Sequence, residues 1–177
     1  CRLHPLATLY QSIHPLTHLL FAMPELPEVE TTRRGLAPHL EGRRIAEVTL
    51  YRDSLRWPIP PELPTLLHRQ PITGIRRRAK YLLLDTGGGS ALWHLGMSGS
   101  LRVLPNDTPL RAHDHVDVQL DNHRVLRFND PRRFGFMHLW PRAELDLYPA
   151  FAGMGPEPTG NLLDADLLAK RFEGRSQ

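Results

Sequence analysis

The most constraining feature of the sequence is a series of short apolar segments separated by turn residues. Val116, Val118 and Leu120 alternate with polar residues, and the apolar pattern resumes at 125–128 after the turn residues Asp121–Asn122. This arrangement is typical of a β-hairpin. Further strand-like segments lie at 45–50, 81–84, 92–104 and 134–140, and the third is interrupted by Gly96 and Gly99. With helical patterns only near the ends, the sequence predicts a mainly β fold, either a β-sandwich or a barrel-like domain.

One helix is predicted before the first strand. Pro27 suits the first turn of a helix, and the acidic residues around it suit the positive end of the helix dipole. Val29, Leu36 and Leu40 form an apolar stripe, and Gly42 is a plausible stop. Because Gly35 and Pro38 disfavour a regular helix interior, we expect a bend before the helix ends near Leu40.

Composition limits the function classes. The chain has 177 residues, 41% of them hydrophobic, which suits one domain and the beginning of a second. Cys1 is the only cysteine, so a disulfide or a cysteine-based metal site cannot form within these residues. No apolar run is long enough to span a membrane, and a reducing cytoplasmic setting is expected. Five basic residues and no acid lie between Arg69 and Lys80, which points weakly to nucleic acid.

The two ends of the sequence differ from its middle. Residues 1–22 are expected to be upstream translation outside the fold, with the biological start at Met23, although a cleaved targeting segment is an alternative. Residues 23–157 are expected to form the β-sandwich domain. Residues 158–177 are interpreted as a linker and the start of a truncated helical domain, because Leu162–Arg175 has a helix-like pattern behind Asp164.

Pro24 follows Met23 and has distinctive chemistry when the methionine is removed. The product carries a secondary amine, which condenses with an aldehyde-like carbon to give a cationic iminium. Its basicity lies closer to neutrality than that of a lysine side chain. Glu25 and Glu28 lie beside it, where an acid can move protons. Taken alone, the same residues are more typical of a proline-rich turn with a capping acid.

Four segments of the sequence decide between these interpretations. They are residues 24–31 (PELPEVET), 77–84 (RRAKYLLL), 93–101 (WHLGMSGSL) and 129–135 (NDPRRFG), and residues 113–117 (HDHVD) and 155–158 (GPEP) fit in the same order. Together they closely resemble the N-terminal half of the formamidopyrimidine-DNA glycosylases, members of a superfamily that also contains the endonuclease VIII-type enzymes. The resemblance extends from Met23 to about Arg175.

This resemblance implies a two-layer β-sandwich with flanking helices and a bifunctional activity on DNA. Members of the family excise oxidised purines such as 8-oxoguanine and formamidopyrimidines, and then cleave the strand at the abasic site. Pro24 matches the nucleophile that attacks C1′, and Glu25 matches the general acid/base. Glu28 matches a supporting acid, and Lys80 matches the lysine that contacts the phosphate beside the lesion.

The resemblance also implies a set of DNA-binding residues, with double-stranded DNA as the partner of a monomeric protein. An enzyme that flips a base out of the helix must fill the vacated space, since unstacking costs a few kcal/mol. Met97 and Phe134 match the apolar wedges, and Arg132 matches the residue that hydrogen-bonds the orphaned cytosine. Phosphate contacts are matched by His94, His113 and Arg133.

A metal site is the competing interpretation of one motif. His113, His115 and Asp117 alternate on a strand, so their side chains are predicted to share one face. We expect a solvated strand face there instead, and no metal or cofactor within these residues. The zinc of the family lies in a C-terminal cysteine finger whose cysteines this sequence does not contain.

Two alternatives remain for the function. The endonuclease VIII-type branch acts on oxidised pyrimidines and shares the Pro-Glu start, whereas Leu26, Val29 and the set Met97, Arg132 and Phe134 favour the purine branch. The second alternative is a non-catalytic protein that binds damaged DNA. It applies if Pro24 stays within the chain, because a tertiary amide has no basic lone pair.

Overall fold

A computed structural model describes residues 25–155 and residue 157, and Pro24 therefore lies outside the described residues. The described chain contains two α-helices, α1 (Leu26–Leu40) and α2 (Leu63–Leu67). Its strands are β1 (Ile45–Leu50), β2 (Ile72–Arg78), β3 (Tyr81–Thr86), β4 (Gly89–His94), β5 (Ser100–Pro105), β6 (Asp114–Leu120), β7 (Arg124–Asn129) and β8 (Phe136–Trp140). A short 3-10 helix spans Arg142–Leu147.

The strands form two antiparallel four-stranded sheets. One has the order β1-β6-β7-β5 and the other the order β2-β3-β4-β8. The hairpin expected from the alternation of Val116, Val118 and Leu120 is present as β6 and β7, in which Val118 pairs with Leu126. The expected mainly β fold with flanking helices, a two-layer β-sandwich, is confirmed.

One hydrophobic core joins the two sheets. It includes Leu82 and Leu84 of β3 and Val116 and Val118 of β6, each at most 1% exposed. Burying a side chain of this kind contributes about 1.5–3 kcal/mol. The apolar stripe of α1 also belongs to this core, so the predicted helix packs as its pattern indicates.

Three local features differ from the sequence predictions or refine them. Helix α2 was not predicted, because it lies in a stretch that contains several prolines. Its residues Leu63 and Leu67 are nevertheless fully buried. The predicted strand at 92–104 is divided into β4 and β5, because the segment between them forms a loop at Gly96–Gly99. Strand β8 begins at Phe136, since the exposed Phe134 belongs to the preceding loop.

The described chain divides into two compact units between Leu145 and Asp146. The predicted boundaries at 22/23 and 157/158 lie within or beside residues outside the described part, so they stay predictions. Among residues 25–155, none of the helices has the length and apolar character needed to cross a membrane.

Candidate catalytic site and nucleic-acid interface

The N-terminal end of α1 carries the two candidate acids. Glu25 is exposed and extended (φ −67°, ψ 157°) immediately before the helix. Its backbone N–H donates to Oε2 of Glu28 at 3.2 Å. Glu28 therefore closes the first turn and satisfies an N–H group that the helix leaves unpaired. The carboxylates of both residues belong to the turn that directly follows Pro24.

An ion-pair network ties this helix end to the second sheet. Glu30 accepts from Arg33 at 2.8 Å, from Arg34 at 2.9 Å and from Arg77 of β2 at 3.1 Å. The hydrogen bond from Arg33, followed by those from Arg34 and Arg77, outweighs burial and lowers the pKa of Glu30 from 4.5 to about 2. Arg77 also donates from Nη1 to the carbonyl oxygen of Ala79 at 3.0 Å. The network thus connects α1 to the turn that contains Lys80.

Lys80 lies in the tight turn between β2 and β3. Arg78 pairs with Tyr81 at the end of the hairpin, which leaves Ala79 and Lys80 as the turn residues. Ala79 has φ +49°, a left-handed conformation that is uncommon for a residue with a side chain. The side chain of Lys80 is half-buried, and its ammonium group is carried by this turn.

His94, at the end of β4, is a buried neutral ring. It is 6% exposed, stacks on Phe136 at 5.2 Å between ring centroids, and meets Tyr81 edge-on at 5.1 Å. Burial, and then the positive charges of Arg56 and Lys80, lower the pKa of His94 from 6.5 to about 4. Its Nδ1 accepts the backbone N–H of Gly96 at 3.1 Å, so the ring proton lies on Nε2. His94 is therefore a neutral N–H donor at neutral pH.

Two loops carry the candidate wedge residues, and they touch through their backbones. The first, residues 95–99, carries the half-buried Met97, and the second, residues 130–135, carries the exposed Arg132 and Phe134. A β-carbon on Gly96 (φ +64°) would overlap backbone atoms of Phe134 and Gly135. Only glycine permits so close an approach of the two backbones. Gly96 therefore allows the two loops to lie in contact.

The tip of the second loop is cationic and apolar at once. Phe134 is 40% exposed, and the guanidinium carbon of Arg132 lies 5.1 Å from the centre of its ring. Arg133 is exposed with φ +55°. His113, also exposed, has φ +71°, and its carbonyl oxygen accepts the N–H of Asp130 at 3.0 Å. The structure thus places Met97, His113 and the Arg132–Phe134 tip on neighbouring loops, with His94 at the end of the strand that leads into the first of them.

The expected solvated face at His113, His115 and Asp117 is wrong for two of the three residues. His115 is 2% exposed and Asp117 is 3% exposed. Asp117 pairs with Arg127 at 2.8 Å, and Nε2 of His115 donates to the carbonyl oxygen of Asp130 at 2.8 Å. Asp117 is thus ion-paired and Nε2 of His115 is hydrogen-bonded, and the described residues contain no cluster of three or more His, Cys, Asp or Glu that could hold a metal ion.

Several residues of the site were missed from the sequence. Ser98 and Asp130 lie inside residues 93–101 and 129–135, but a serine and an aspartate among apolar and basic neighbours carry no signal of their own. Arg56 is exposed, its N–H donates to the carbonyl oxygen of Gly135 at 3.1 Å, and its guanidinium carbon lies 5.1 Å from the centre of the Trp57 ring. A lone arginine in a Pro-rich stretch gives no local signal. Glu30 looked like an ordinary acid of the first helical turns.

The fold and these loops define a β-sandwich domain with a cationic, loop-built surface of the kind found in DNA-repair glycosylases. A family model, the formamidopyrimidine-DNA glycosylase N-terminal domain, matches residues 23–137. The chain belongs to the formamidopyrimidine-DNA glycosylase family.

Curated relatives agree with this assignment. The chain is 68% identical over 154 residues to a formamidopyrimidine-DNA glycosylase of Stenotrophomonas maltophilia strain K279a, covering 87% of this chain and 56% of the relative. It is 61% identical over 154 residues to the enzyme of Xanthomonas campestris pv. campestris strain B100, with 86% and 56% covered. The chain thus spans about 56% of the length of these relatives.

Solved structures are similar as well. The Lactococcus lactis formamidopyrimidine-DNA glycosylase bound non-covalently to DNA with an abasic site superposes with a TM-score of 0.72 at 30% identity, covering 84% of this chain and 57% of that one. The same enzyme in complex with DNA containing a formamidopyrimidine-dG lesion gives 0.73 at 31% identity, with 84% and 56% covered.

Proposed function

We propose that this chain is the catalytic part of a bifunctional DNA glycosylase and abasic-site lyase that excises oxidised purines from double-stranded DNA. The observation that carries the proposal is the exposed Arg132–Phe134 tip, packed backbone to backbone on the loop of Met97. An exposed phenylalanine beside an arginine suits entry into the base stack, where the ring replaces stacking and the guanidinium meets a base edge. Family membership and the DNA complexes of the Lactococcus enzyme support the same conclusion.

The proposed reaction begins at Pro24. Its amine forms a bond to C1′ of the damaged nucleotide while the glycosidic bond breaks and the base leaves with the electron pair, and the proton lost from the nitrogen neutralises the departing base. Glu25 protonates the ring oxygen, the sugar opens, and an iminium forms between Pro24 and C1′. β-Elimination and then δ-elimination cleave the strand on both sides. Glu28, which bonds the N–H of Glu25, is proposed to fix the first turn so that both acids stay beside the amine.

The remaining site residues are proposed to hold the DNA backbone and the gap. Lys80 presents a cation from the turn between β2 and β3, and the neutral His94 presents an N–H donor, so both suit phosphate oxygens. Arg133 and His113 are proposed as further phosphate contacts. Met97 and Phe134 fill the space left by the flipped nucleotide, and Arg132 pairs with the orphaned cytosine.

Three finer statements belong to the same proposal. The family's zinc finger would be supplied by sequence beyond these residues, since Cys1 is the only cysteine here. The relatives are bacterial, which supports action on the DNA of a bacterial cytoplasm. The active form is proposed to begin at Pro24, because an amide nitrogen at that position cannot attack C1′.

The test is borohydride trapping on a duplex with 8-oxoguanine opposite cytosine. We would compare the 177-residue chain, the chain begun at Met23, and a hybrid in which the latter is continued by the C-terminal part of the Stenotrophomonas relative. The form processed to Pro24 is expected to give a covalent adduct that maps to Pro24, and the form that retains residues 1–22 to give none. Glu25→Gln is expected to slow trapping by roughly 100-fold, whereas Glu47→Gln, at an exposed position of β1, is the matched control.

A processed hybrid that binds the duplex without forming an adduct would contradict the proposal and favour a non-catalytic damage-binding protein. A substrate panel addresses the other alternative. One similar Lactococcus structure, at 31% identity, is a complex with DNA that contains an oxidised pyrimidine, so oxidised pyrimidines belong in the panel. Faster excision of oxidised pyrimidines than of 8-oxoguanine would favour the endonuclease VIII-type activity.

A further inference from the structure

Asp130, at the end of β7, is a fully buried carboxylate whose two oxygens bind two different loops. Oδ1 accepts from the hydroxyl of Ser98 at 2.5 Å, and Oδ2 accepts from the backbone N–H of Gly135 at 2.7 Å. A carboxylate away from water needs such donors, since an unpaired buried charge is strongly unfavourable. The side chain thus joins the loop of Met97 to the loop of Phe134.

The backbone of Asp130 adds three more links. Its N–H donates to the carbonyl oxygen of His113 at 3.0 Å, and its carbonyl oxygen accepts from the N–H of Arg133 at 3.2 Å. The same carbonyl oxygen accepts from Nε2 of His115 at 2.8 Å. His113 and Arg133 both have left-handed backbones, at φ +71° and +55°, and such conformations persist where the surroundings hold them. Asp130 supplies that support at both positions.

Ser98 completes the connection. Its hydroxyl donates to Asp130 and accepts from the backbone N–H of Arg132 at 3.1 Å. The result is a hydrogen-bonded chain from the N–H of Arg132 through Ser98 to the carboxylate of Asp130. The exposed tip at Arg132 and Phe134 is therefore hydrogen-bonded, through the half-buried Ser98, to the buried carboxylate of Asp130.

We propose that Ser98 and Asp130 form a latch that holds the two loops in one arrangement before DNA binds, so that Met97, Arg132 and Phe134 enter the base stack together. The inference rests on the proposed function. Ser98 and Asp130 are positioning residues, since neither side chain is at the exposed tip. A tip that had to be ordered during insertion would lose conformational entropy at that moment. The latch removes this loss from the step in which the damaged base is evicted.

The reasoning predicts a difference between two substrates. Eviction of 8-oxoguanine breaks stacking and pairing of a base, whereas a duplex with an abasic site has no base to evict at that position. In the hybrid begun at Met23, Ser98→Ala is expected to slow borohydride trapping on the 8-oxoguanine:cytosine duplex by roughly tenfold or more. On the abasic duplex the loss is expected to stay below about threefold, and Ser98→Thr, which keeps the hydroxyl, is expected to restore both rates.

The matched control is Ser54→Ala. Ser54 also donates its hydroxyl to a carboxylate, that of Asp53 at 3.1 Å, but this bond joins sequence neighbours and connects no loops. We expect it to leave both trapping rates unchanged. An equal loss on both substrates with Ser98→Ala, or a threonine variant that fails to restore the 8-oxoguanine rate, would overturn the latch.

A second measurement is independent of activity. Amide hydrogen exchange of the 177-residue chain, resolved by NMR, is expected to accelerate at Arg132 in Ser98→Ala and at Gly135 in Asp130→Asn, while the amides of β6 keep their protection. Unchanged exchange at Arg132 and Gly135 would overturn the latch whether or not the protein is an enzyme. If the wild-type hybrid traps neither substrate, the proposed function fails, and amide exchange alone decides whether the latch orders the loops.

Discussion

The buried ring of His94 makes the stability of the domain depend on pH in a way that can be calculated. In the folded protein its pKa is lowered from 6.5 to about 4 by burial and by the charges of Arg56 and Lys80. Between these two values the unfolded chain binds a proton at this residue and the folded chain does not. The free energy of unfolding therefore rises with pH across this interval. The contribution of His94 to it is lost as pH falls from 6.5 towards 4.

The magnitude follows from the interval. One pKa unit corresponds to about 1.4 kcal/mol, so the difference between 6.5 and about 4 corresponds to about 3 kcal/mol. His94→Gln removes the titration and keeps an oxygen that can accept the N–H of Gly96. Relative to wild type, this variant is expected to gain about 3 kcal/mol of stability as pH falls from about 7 to about 4.

Urea unfolding at a series of pH values measures this difference directly. Carboxylates titrate in the same range, but they are common to both proteins and cancel in the comparison. His68→Gln removes an exposed ring and serves as the matched control for the loss of a histidine. Parallel stability curves for wild type and His94→Gln would refute the reasoning, because they would mean that the ring titrates alike in the folded and unfolded states.

Two further substitutions, the first with a matched control, probe the contacts that build the candidate site. Gly96→Ala is expected to destabilise the fold by about 2 kcal/mol or more, because its β-carbon would meet the backbone of Phe134 and Gly135 at φ +64°. Gly35→Ala in α1 is the control: no atom lies within 4 Å of the added carbon, so it should stabilise the fold by about 0.5–1 kcal/mol. Thermal unfolding that shows a stability change of the same sign for both variants would contradict this. Glu30→Gln is expected to cost about 1–2 kcal/mol near neutral pH. Because the pKa of Glu30 is lowered from 4.5 to about 2, this cost should disappear as pH falls from 4.5 towards 2 in urea unfolding, and a cost independent of pH would exclude the ion pairs as its cause.

The fold was predictable where the sequence has a clear period. The alternation of Val116, Val118 and Leu120 and the stripe Val29, Leu36 and Leu40 each report one buried face of an element, and both faces are buried as expected. Helix α2 was missed because five residues are too few to show a helical period, and Pro64 in that segment resembles a turn signal. The burial of Leu63 and Leu67 comes from the surrounding structure, which overrides local propensity.

Polar positions on strands were the harder problem. In β6 the alternation correctly predicted that Val116 and Val118 face the core. The polar residues that alternate with them were therefore expected to face water. Asp117 is instead buried against Arg127 of the neighbouring strand. An alternation with a period of two shows that neighbouring residues lie on opposite faces of a strand. It does not show what covers the second face. That information lies in a partner from another strand, which no local pattern contains.

The same limit explains why the motifs indicated the exposed residues Arg132 and Phe134 but not Ser98 and Asp130, which are hydrogen-bonded behind them. Arg132 and Phe134 attract attention because an arginine and an aromatic residue have obvious uses on DNA. Ser98 and Asp130 are separated by 32 positions, and each is unremarkable until the fold brings a hydroxyl against a buried carboxylate. Candidate ligand-binding residues are thus accessible from their chemistry alone, whereas the residues hydrogen-bonded behind them emerge only from contacts between distant segments. In such a domain, the hydrogen bonds of a buried carboxylate therefore identify the surface residues whose positions depend on it.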